Sequence, residues 1–430
     1  LEDTRYDLVV NITLSRLSDF LVSLVPTAGA SGTIAGERGA RRVVSDWAGY
    51  LLSTLNGDNR RFNRINLVDV FTGIGGGKPD GGPVELFETE CGREFADEFL
   101  ATHGLDGRRL VGLQLGASKA IRCWDTDRFA SLCDRLQERW GCAVILFGGP
   151  GERHLAEQVI GMARHAPVDA VGKTTIEGLF SLVKHCALLV TNDTGTMHFA
   201  AAGGVPSVML CLGPAFFRGT GPYSSGNLAL KPDLACSPCP YSLDCADPVC
   251  KRSITVDAVE GACRMLLDEG PVPAGQFAGV SVYRSGFGPD RYLEWEGLFN
   301  VDHSEDDAAQ RHAAMWKSFL DGSGGTARSP LNGAALELGR LLERGRDVTG
   351  KITACAALPR PPLEELQMLG GGEAMLEEEL RRMGSRHPEL ATLVDFLTLK
   401  RDNLQGEGLA EIADATRQIY LTGSRILSGL

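Results

Sequence analysis

Apolar residues fall along this chain in more than one rhythm. In its middle, short runs recur with almost no polar interruption: residues 111–115, 142–148, 187–192 and 206–212. Runs that are continuous rather than alternating mark strands whose two faces are both covered, as in a parallel sheet under helices. Between the runs the spacing becomes helical. In residues 126–140, Phe129, Leu132, Cys133, Leu136 and Trp140 share one face, and Gly141 follows as a natural stop. Residues 152–164, 175–184 and 195–202 read the same way. Strand and helix in strict alternation predict a doubly wound parallel α/β domain, a fold that binds ligands beyond the carboxyl ends of its strands.

The flanks are different. Residues 6–13 (YDLVVNIT) form a β-branched run expected to be a buried strand, with helices predicted near residues 15–25 and 43–55. After a helix at 256–267 comes a linker at 271–274, then a hairpin pattern at 280–283 and 292–295 around the turn at 286–290. The remainder is helical, with starts expected at Ser304 with Asp307 and at Ser329-Pro330. Leu376, Leu380 and Met383, then Leu390, Val394 and Leu397, give stripes best read as helix-packing seams, because periodic apolar residues are the ordinary signature of a core.

Composition narrows the field. The 430 residues suffice for two or three domains. A formal charge of −12 argues against a broad phosphate-backbone surface, so nucleic acid is not the expected partner. No run approaches the ~18 consecutive apolar residues of a membrane span. Eight of the twelve cysteines, Cys133, Cys142, Cys186 and Cys211 among them, are scattered, several in segments that read as buried, where free thiols behave as small hydrophobes; a reducing cytoplasm is the expected compartment. A Gly-rich stretch at 72–83 (TGIGGGKPDGGP) invites a phosphate-loop reading, but Pro79 stands where Ser or Thr would follow Lys78, and no strand-to-helix junction surrounds it.

Three segments carry chemistry. The first ends a strand at Asn192 and continues Asp193-Thr194-Gly195-Thr196-Met197-His198 into a helix, so that backbone N–H groups and the helix dipole offer a site for a pyrophosphate. Asp193 as a mere helix cap and His198 as an ordinary helix histidine are equally consistent with that run taken alone. The second, Leu115 to Trp124, follows another strand with Ser118, Lys119 and Arg122, and Arg suits bidentate phosphate contact; a solvated loop is the plainer reading. The third, Gly148-Gly149-Pro150-Gly151-Glu152, is a glycine turn with an acid placed for ribose hydroxyls or a base edge.

In this order, with Val171-Gly172-Lys173-Thr174-Thr175 before the NDTGTMH run, the segments closely resemble the nucleotide-sugar half of family 9 glycosyltransferases, the bacterial lipopolysaccharide heptosyltransferases; the match is dense over residues 111–267. The resemblance implies a GT-B fold of two Rossmann-like domains, inversion at the anomeric carbon and no catalytic metal. It implies domains at 1–108 (an incomplete acceptor-side Rossmann-like domain) and 109–270 (nucleotide-sugar-binding), and leaves 271–430, a mainly helical extension by its apolar stripes, outside the resemblance. It further implies that Ser118 and Arg122 contact the diphosphate, Arg122 standing where members commonly carry Lys. Ala117 stands where some members place a hydroxyl residue. Glu152 would face the nucleoside, Asp193 the sugar hydroxyls, and Thr194, Gly195 and His198 the phosphate side of an ADP-heptose-like donor. No cofactor is required. The acceptor would be a lipid-linked saccharide, placing a cytoplasmic enzyme at the inner face of the membrane as a peripheral visitor. The general base is expected upstream of Leu1, in an amino-terminal part this sequence lacks; neither Asp7 nor Asp19 is a justified substitute.

Four cysteines, Cys236, Cys239, Cys245 and Cys250, crowd one window. Four thiolates suit a structural zinc. The spacing is not a paired CxxC, which leaves reduced or locally bridged thiols as the other reading. Beside the transferase stands an alternative of another class, a catalytically incomplete nucleotide-sugar-binding or scaffold protein whose helical tail docks a partner.

Overall fold

The computed structural model describes residues 4–36, 39–55, 59–241, 243, 245–268, 270–322, 333–406 and 408–428. The chain forms two compact units. One comprises Leu1–Arg64, Val68–Lys78 and His303–Leu430; the other comprises Ile65–Leu67 and Pro79–Asp302.

In the first unit, β1 (Val9–Asn11) lies parallel to β2 (Ala30–Ala35), which pairs antiparallel with β3 (Arg41–Val43). The helix Arg16–Ser23 starts at Ser15, whose hydroxyl accepts the Ser18 N–H at 3.0 Å. Its Asp19 is buried and fully engaged: the carboxylate accepts from Asn11 (3.2 Å), Thr33 (2.6 Å) and Arg41 (2.7 Å). Such a carboxylate serves as a structural counterion. An aromatic core then joins distant segments. Trp316, on the helix His303–Leu320, lies 5.0 Å from Tyr50 of Asp46–Leu55 and 5.1 Å from Phe396 of Pro388–Asp402, ring centre to ring centre. Gly49 lets the last two helices close up, since a Cβ there would meet the Phe396 ring at 2.9 Å. The long helices Gly333–Ala356 and Leu409–Leu427 pack likewise, Gly345 under the Tyr420 ring. All six stripe residues from Leu376 to Leu397 are buried, as seams should be. The expected start at Ser329-Pro330 lies outside the described residues, as do the side chains of Ser304 and Asp307, although a helix does begin at His303.

The second unit holds the doubly wound sheet. Its strands are β4 (Leu110–Gln114), β5 (Ala143–Phe147), β6 (Val168–Asp169), β7 (Cys186–Asn192), β8 (Ser207–Leu210), β9 (Leu228–Pro232), β10 (Val280–Phe287) and β11 (Leu293–Phe299). They lie in the order β11-β10-β9-β8-β7-β4-β5-β6. The six from β4 to β9 are parallel, so the chain runs outward from β4 through β5 to β6, returns beside β4 with β7, and runs outward the other way. That reversal makes the carboxyl ends of β4 and β7 the switch point, the place where doubly wound sheets bind ligands. β4 and β5 are buried at every residue because helices cover both faces.

Two expected boundaries move. The helix Glu90–Thr102 lies against Ile176–Lys184, Gly178 under the Phe95 ring, so residues 79–108 belong with the sheet unit rather than with the amino-terminal segment. The hairpin also belongs there: β10 pairs antiparallel with β9, extending the sheet by two strands. What was read as one extension from 271 onward is therefore divided, and only residues 303–430 share the amino-terminal core. The reason is packing: the apolar stripes of the late helices need a partner face, and the helix Asp46–Leu55 supplies one. The Gly-rich stretch at 72–83 begins in the last turn of the helix Leu67–Ile74 rather than after a strand, which removes the phosphate-loop context.

Candidate functional site

At the switch point the loops after β4 and β7 face each other. Asn192, buried at the end of β7, ties them together: its side-chain amide donates to the carbonyl oxygens of Gln114 (3.2 Å) and Leu115 (2.9 Å), and its side-chain oxygen accepts the Trp124 N–H at 3.1 Å. Trp124 in turn donates its indole N–H to Ile254 O at 2.9 Å, anchoring the far end of the β4 loop in the core.

Ser118, Arg122 and Asp193 meet on this frame. The Arg122 guanidinium reaches from a short 3₁₀ turn, donating to Ser118 Oγ at 2.9 Å and pairing with Asp193 Oδ2 at 2.7 Å; it also donates to the Asp193 carbonyl. Its Nε is buried without a hydrogen-bond partner. Asp193 is buried, and Thr220 Oγ1 stands 3.4 Å from its Oδ1. The loop reading of Ser118 and Arg122 thus gives way to a built constellation with a cation at its centre.

Thr194 occupies the cap position of the helix Gly195–Ala202 with its side chain making no capping bond. The same residue type does cap three other helices of the unit, Thr89 accepting from Gly92 N, Thr175 from Gly178 N and Thr255 from Ala258 N. The uncapped start therefore leaves backbone donors available to an anion, and a Cβ on Gly195 would meet nothing within 4 Å, so the space before it is open. Asp193 is not the cap; it holds Arg122 instead. His198 lies one turn into the helix; desolvation lowers its pKa, and the Asp193 charge acts against that shift.

Glu152 is positioned by close approach. Its carboxylate accepts the Gly149 N–H at 2.7 Å and covers Gly116, where an added Cβ would sit 1.7 Å from Glu152 Oε1. From there a polar chain crosses to the helix: Gln114 Nε2 lies 3.5 Å from Glu152 Oε2, and Thr196 donates to Gln114 Oε1 at 2.7 Å. Sequence reading gave no role to Gln114, Thr196, Asn192 or Thr220. Gln114 did carry a signal, a polar residue closing an apolar strand. Thr220 carried none, since it arrives from the segment after β8.

The four clustered cysteines are free thiols, Cys239 and Cys250 buried and Cys236 exposed. Among the described residues no three His, Cys, Asp or Glu side chains come together in a way that could hold a metal ion, so the zinc reading finds no assembled site. The window lies against the site, Lys119 Nζ donating to Tyr241 O at 2.8 Å and Cys239 N to Gly213 O at 3.0 Å. Among the described residues no helix is long and apolar enough to cross a membrane.

Comparison with known proteins places these residues in context. The family model described as glycosyltransferase family 9 (heptosyltransferase) matches residues 77–249. Lipooligosaccharide heptosyltransferase 2 of Campylobacter jejuni is 31% identical over 140 residues, covering 31% of this chain and 43% of that protein. Lipopolysaccharide heptosyltransferase 3 of Escherichia coli K12 is 26% identical over 213 residues, covering 49% and 60%. The chain thus spans between 43% and 60% of the length of these two relatives. Among solved structures, a family 9 glycosyl transferase from Veillonella parvula aligns with a TM-score of 0.39 at 26% identity, covering 49% of this chain and 62% of that one.

Proposed function

From a chain whose residues 77–249 match the family model of glycosyltransferase family 9, the heptosyltransferases, we propose an enzyme that moves a sugar, a heptose by the relatives' names, from a nucleoside-diphosphate donor to a lipopolysaccharide-core-like saccharide acceptor. The observation that carries this is the meeting of Arg122, Ser118 and the uncapped helix start at Gly195 at the switch point of a doubly wound sheet. A GT-B arrangement, inversion and a metal-free reaction are part of the same proposal, as is an ADP-heptose-like donor.

Chemically, the donor's bond from the anomeric carbon to the diphosphate breaks as an acceptor hydroxyl attacks, and negative charge grows on the leaving phosphates. Fixed N–H donors and the Arg122 guanidinium stabilise that charge without reorganising. Asp193 holds the guanidinium toward Ser118 and retains lone pairs for sugar hydroxyls. Glu152, fixed over Gly116, offers a carboxylate to the nucleoside, while Thr194 and His198 line the phosphate side. Asp19, engaged by three donors, is not the base that takes the acceptor proton.

Titration calorimetry with ADP tests the donor site. Arg122→Ala is expected to weaken binding about a hundredfold, the scale of losing charge-assisted bonds to phosphate. Asp193→Ala is expected to weaken it less, by freeing Arg122 from its guide. Unchanged affinity in both variants would overturn the reading. Turnover of the donor with an acceptor extract separates the transferase from a scaffold that only binds.

A further inference from the structure

Beyond donor binding, the cysteine window is joined to the donor loop in a way the proposed reaction does not use. Two ties run between them. Tyr241 O receives the Lys119 ammonium at 2.8 Å, beside Ser118. Cys239 N donates to Gly213 O at 3.0 Å, and Gly213, at φ +57°, is pressed against Ile121, the neighbour of Arg122; a Cβ there would lie 3.1 Å from the Ile121 side chain. Lys251, just past Cys250, adds a third tie, 3.4 Å from Asp125 at the end of the same loop. Movement of residues 236–251 would therefore be felt where the diphosphate is proposed to sit.

The four thiols differ in access. Cys236 is exposed; Cys239 is 6% exposed, and Cys236 lies within hydrogen-bonding reach of it. Desolvation first, then the neighbouring Cys236, Cys250 and Cys245, push the Cys239 thiol up to about 11. An exposed thiol that meets an oxidant, followed three residues on by a buried thiol that resolves it, has the order of a dithiol pair, and the raised Cys239 thiol makes the second step the slower one.

We propose that Cys236 and Cys239 form a reversible disulfide that alters donor binding through Gly213 and Tyr241. The oxidant is a small-molecule disulfide. The Cys236 thiolate attacks one sulfur of glutathione disulfide, releasing one glutathione and forming a mixed disulfide. Cys239, losing its proton to solvent, then attacks the Cys236 sulfur and expels the second glutathione. Two thiols are oxidised and one disulfide is reduced to two thiols, so the exchange balances. The consequence for affinity rests on the proposed donor site; the thiol pairing does not.

The experiment uses the whole chain, reduced or equilibrated with glutathione disulfide. Intact mass is expected to fall by about 2 Da, the two protons lost on closing one disulfide, and a non-reducing peptide map to join Cys236 to Cys239. ADP affinity is expected to change by about fivefold or more, the lower end of ordinary coupling between sites, and amide exchange in residues 115–122 to change with it. Cys236→Ser and Cys239→Ser should abolish both responses, while Cys245→Ser and Cys250→Ser keep them. A bridge to Cys245 or Cys250 instead, zinc holding all four thiols in the purified protein, or an oxidised form with unchanged loop exchange would overturn the proposal. If the reduced protein binds no ADP, the donor-site reading fails, while the peptide map and loop exchange still decide this one.

Discussion

The sheet unit and the helical unit are both built on apolar periodicity, yet they use their buried polar groups for different ends. In the sheet unit, polar side chains gather where strands stop. Gln114, Asn192, Asp193 and Thr196 are all buried, and all lie at the carboxyl ends of β4 and β7 or just beyond. In the helical unit, buried polar groups support packing: Tyr50 donates to Asn63 Oδ1 at 2.6 Å, and Trp316 donates its indole N–H to His312 at 3.1 Å. Strand ends cannot continue the sheet's ladder, so their polar groups turn toward a ligand or toward each other. Side chains between packed helices have no such opening. The difference teaches where to look for chemistry, and it can be broken or sharpened by measurement.

The largest effect is expected from Trp316→Ala, which empties the centre of the helical core and should lower stability by about 3–5 kcal/mol, read by denaturant unfolding. ADP affinity measured below the unfolding transition should stay near that of the parent chain. A large loss of affinity there would mean that the two cores do not act separately.

Next comes acid. Burial, helped by the Arg64 charge, lowers the His312 pKa to about 3. The unfolded chain takes up the proton first, near pH 6.5, so this contribution is complete above pH 6.5 and is lost as pH falls toward 3, at about 1.4 kcal/mol per pH unit. At pH 5 the loss is about 2 kcal/mol. His312→Gln should flatten that slope in pH-dependent unfolding; an unchanged slope would assign it to other groups.

A smaller effect tests the sheet unit. Gly116→Ala would force the Glu152 carboxylate off its seat, and ADP affinity is expected to fall about tenfold with little change in stability, the cost of misplacing one charged contact. Equal affinity would remove Glu152 from the nucleoside side. Smallest is Thr196→Val, which leaves Gln114 Oε1 without its buried donor and should cost about 1 kcal/mol of stability.

Legibility follows the same division. The helix Thr126–Trp140 was readable to the residue because amphipathic spacing and its glycine stop are local, and Gly195–Ala202 because it runs from the end of an apolar strand to the glycines at 203 and 204. So were the stretches bearing Ser118, Glu152 and Asp193. That Asp193 would hold Arg122 was not readable, since 71 residues separate them and only the order of β4 beside β7 makes them neighbours. β6 and β9 also escaped: β6 is two residues long, and β9, Leu228–Pro232, contains a lysine and a proline that dilute its pattern. The hairpin was seen as a hairpin, but nothing in its residues says that β10 continues the sheet at β9.

By itself, the sequence determined the strongly periodic helices, the strands β4, β5, β7 and β8, and which loops carry cations, acids and glycines, because each of those properties is set within a few neighbouring residues. Only the tertiary structure decided that residues 303–430 share a core with the first 64, that Glu152 rests on Gly116, and that the cysteine window leans on the loop of Arg122. Those pairings join positions tens to hundreds of residues apart. They depend on strand order and on which apolar faces find each other, and no local pattern encodes that choice.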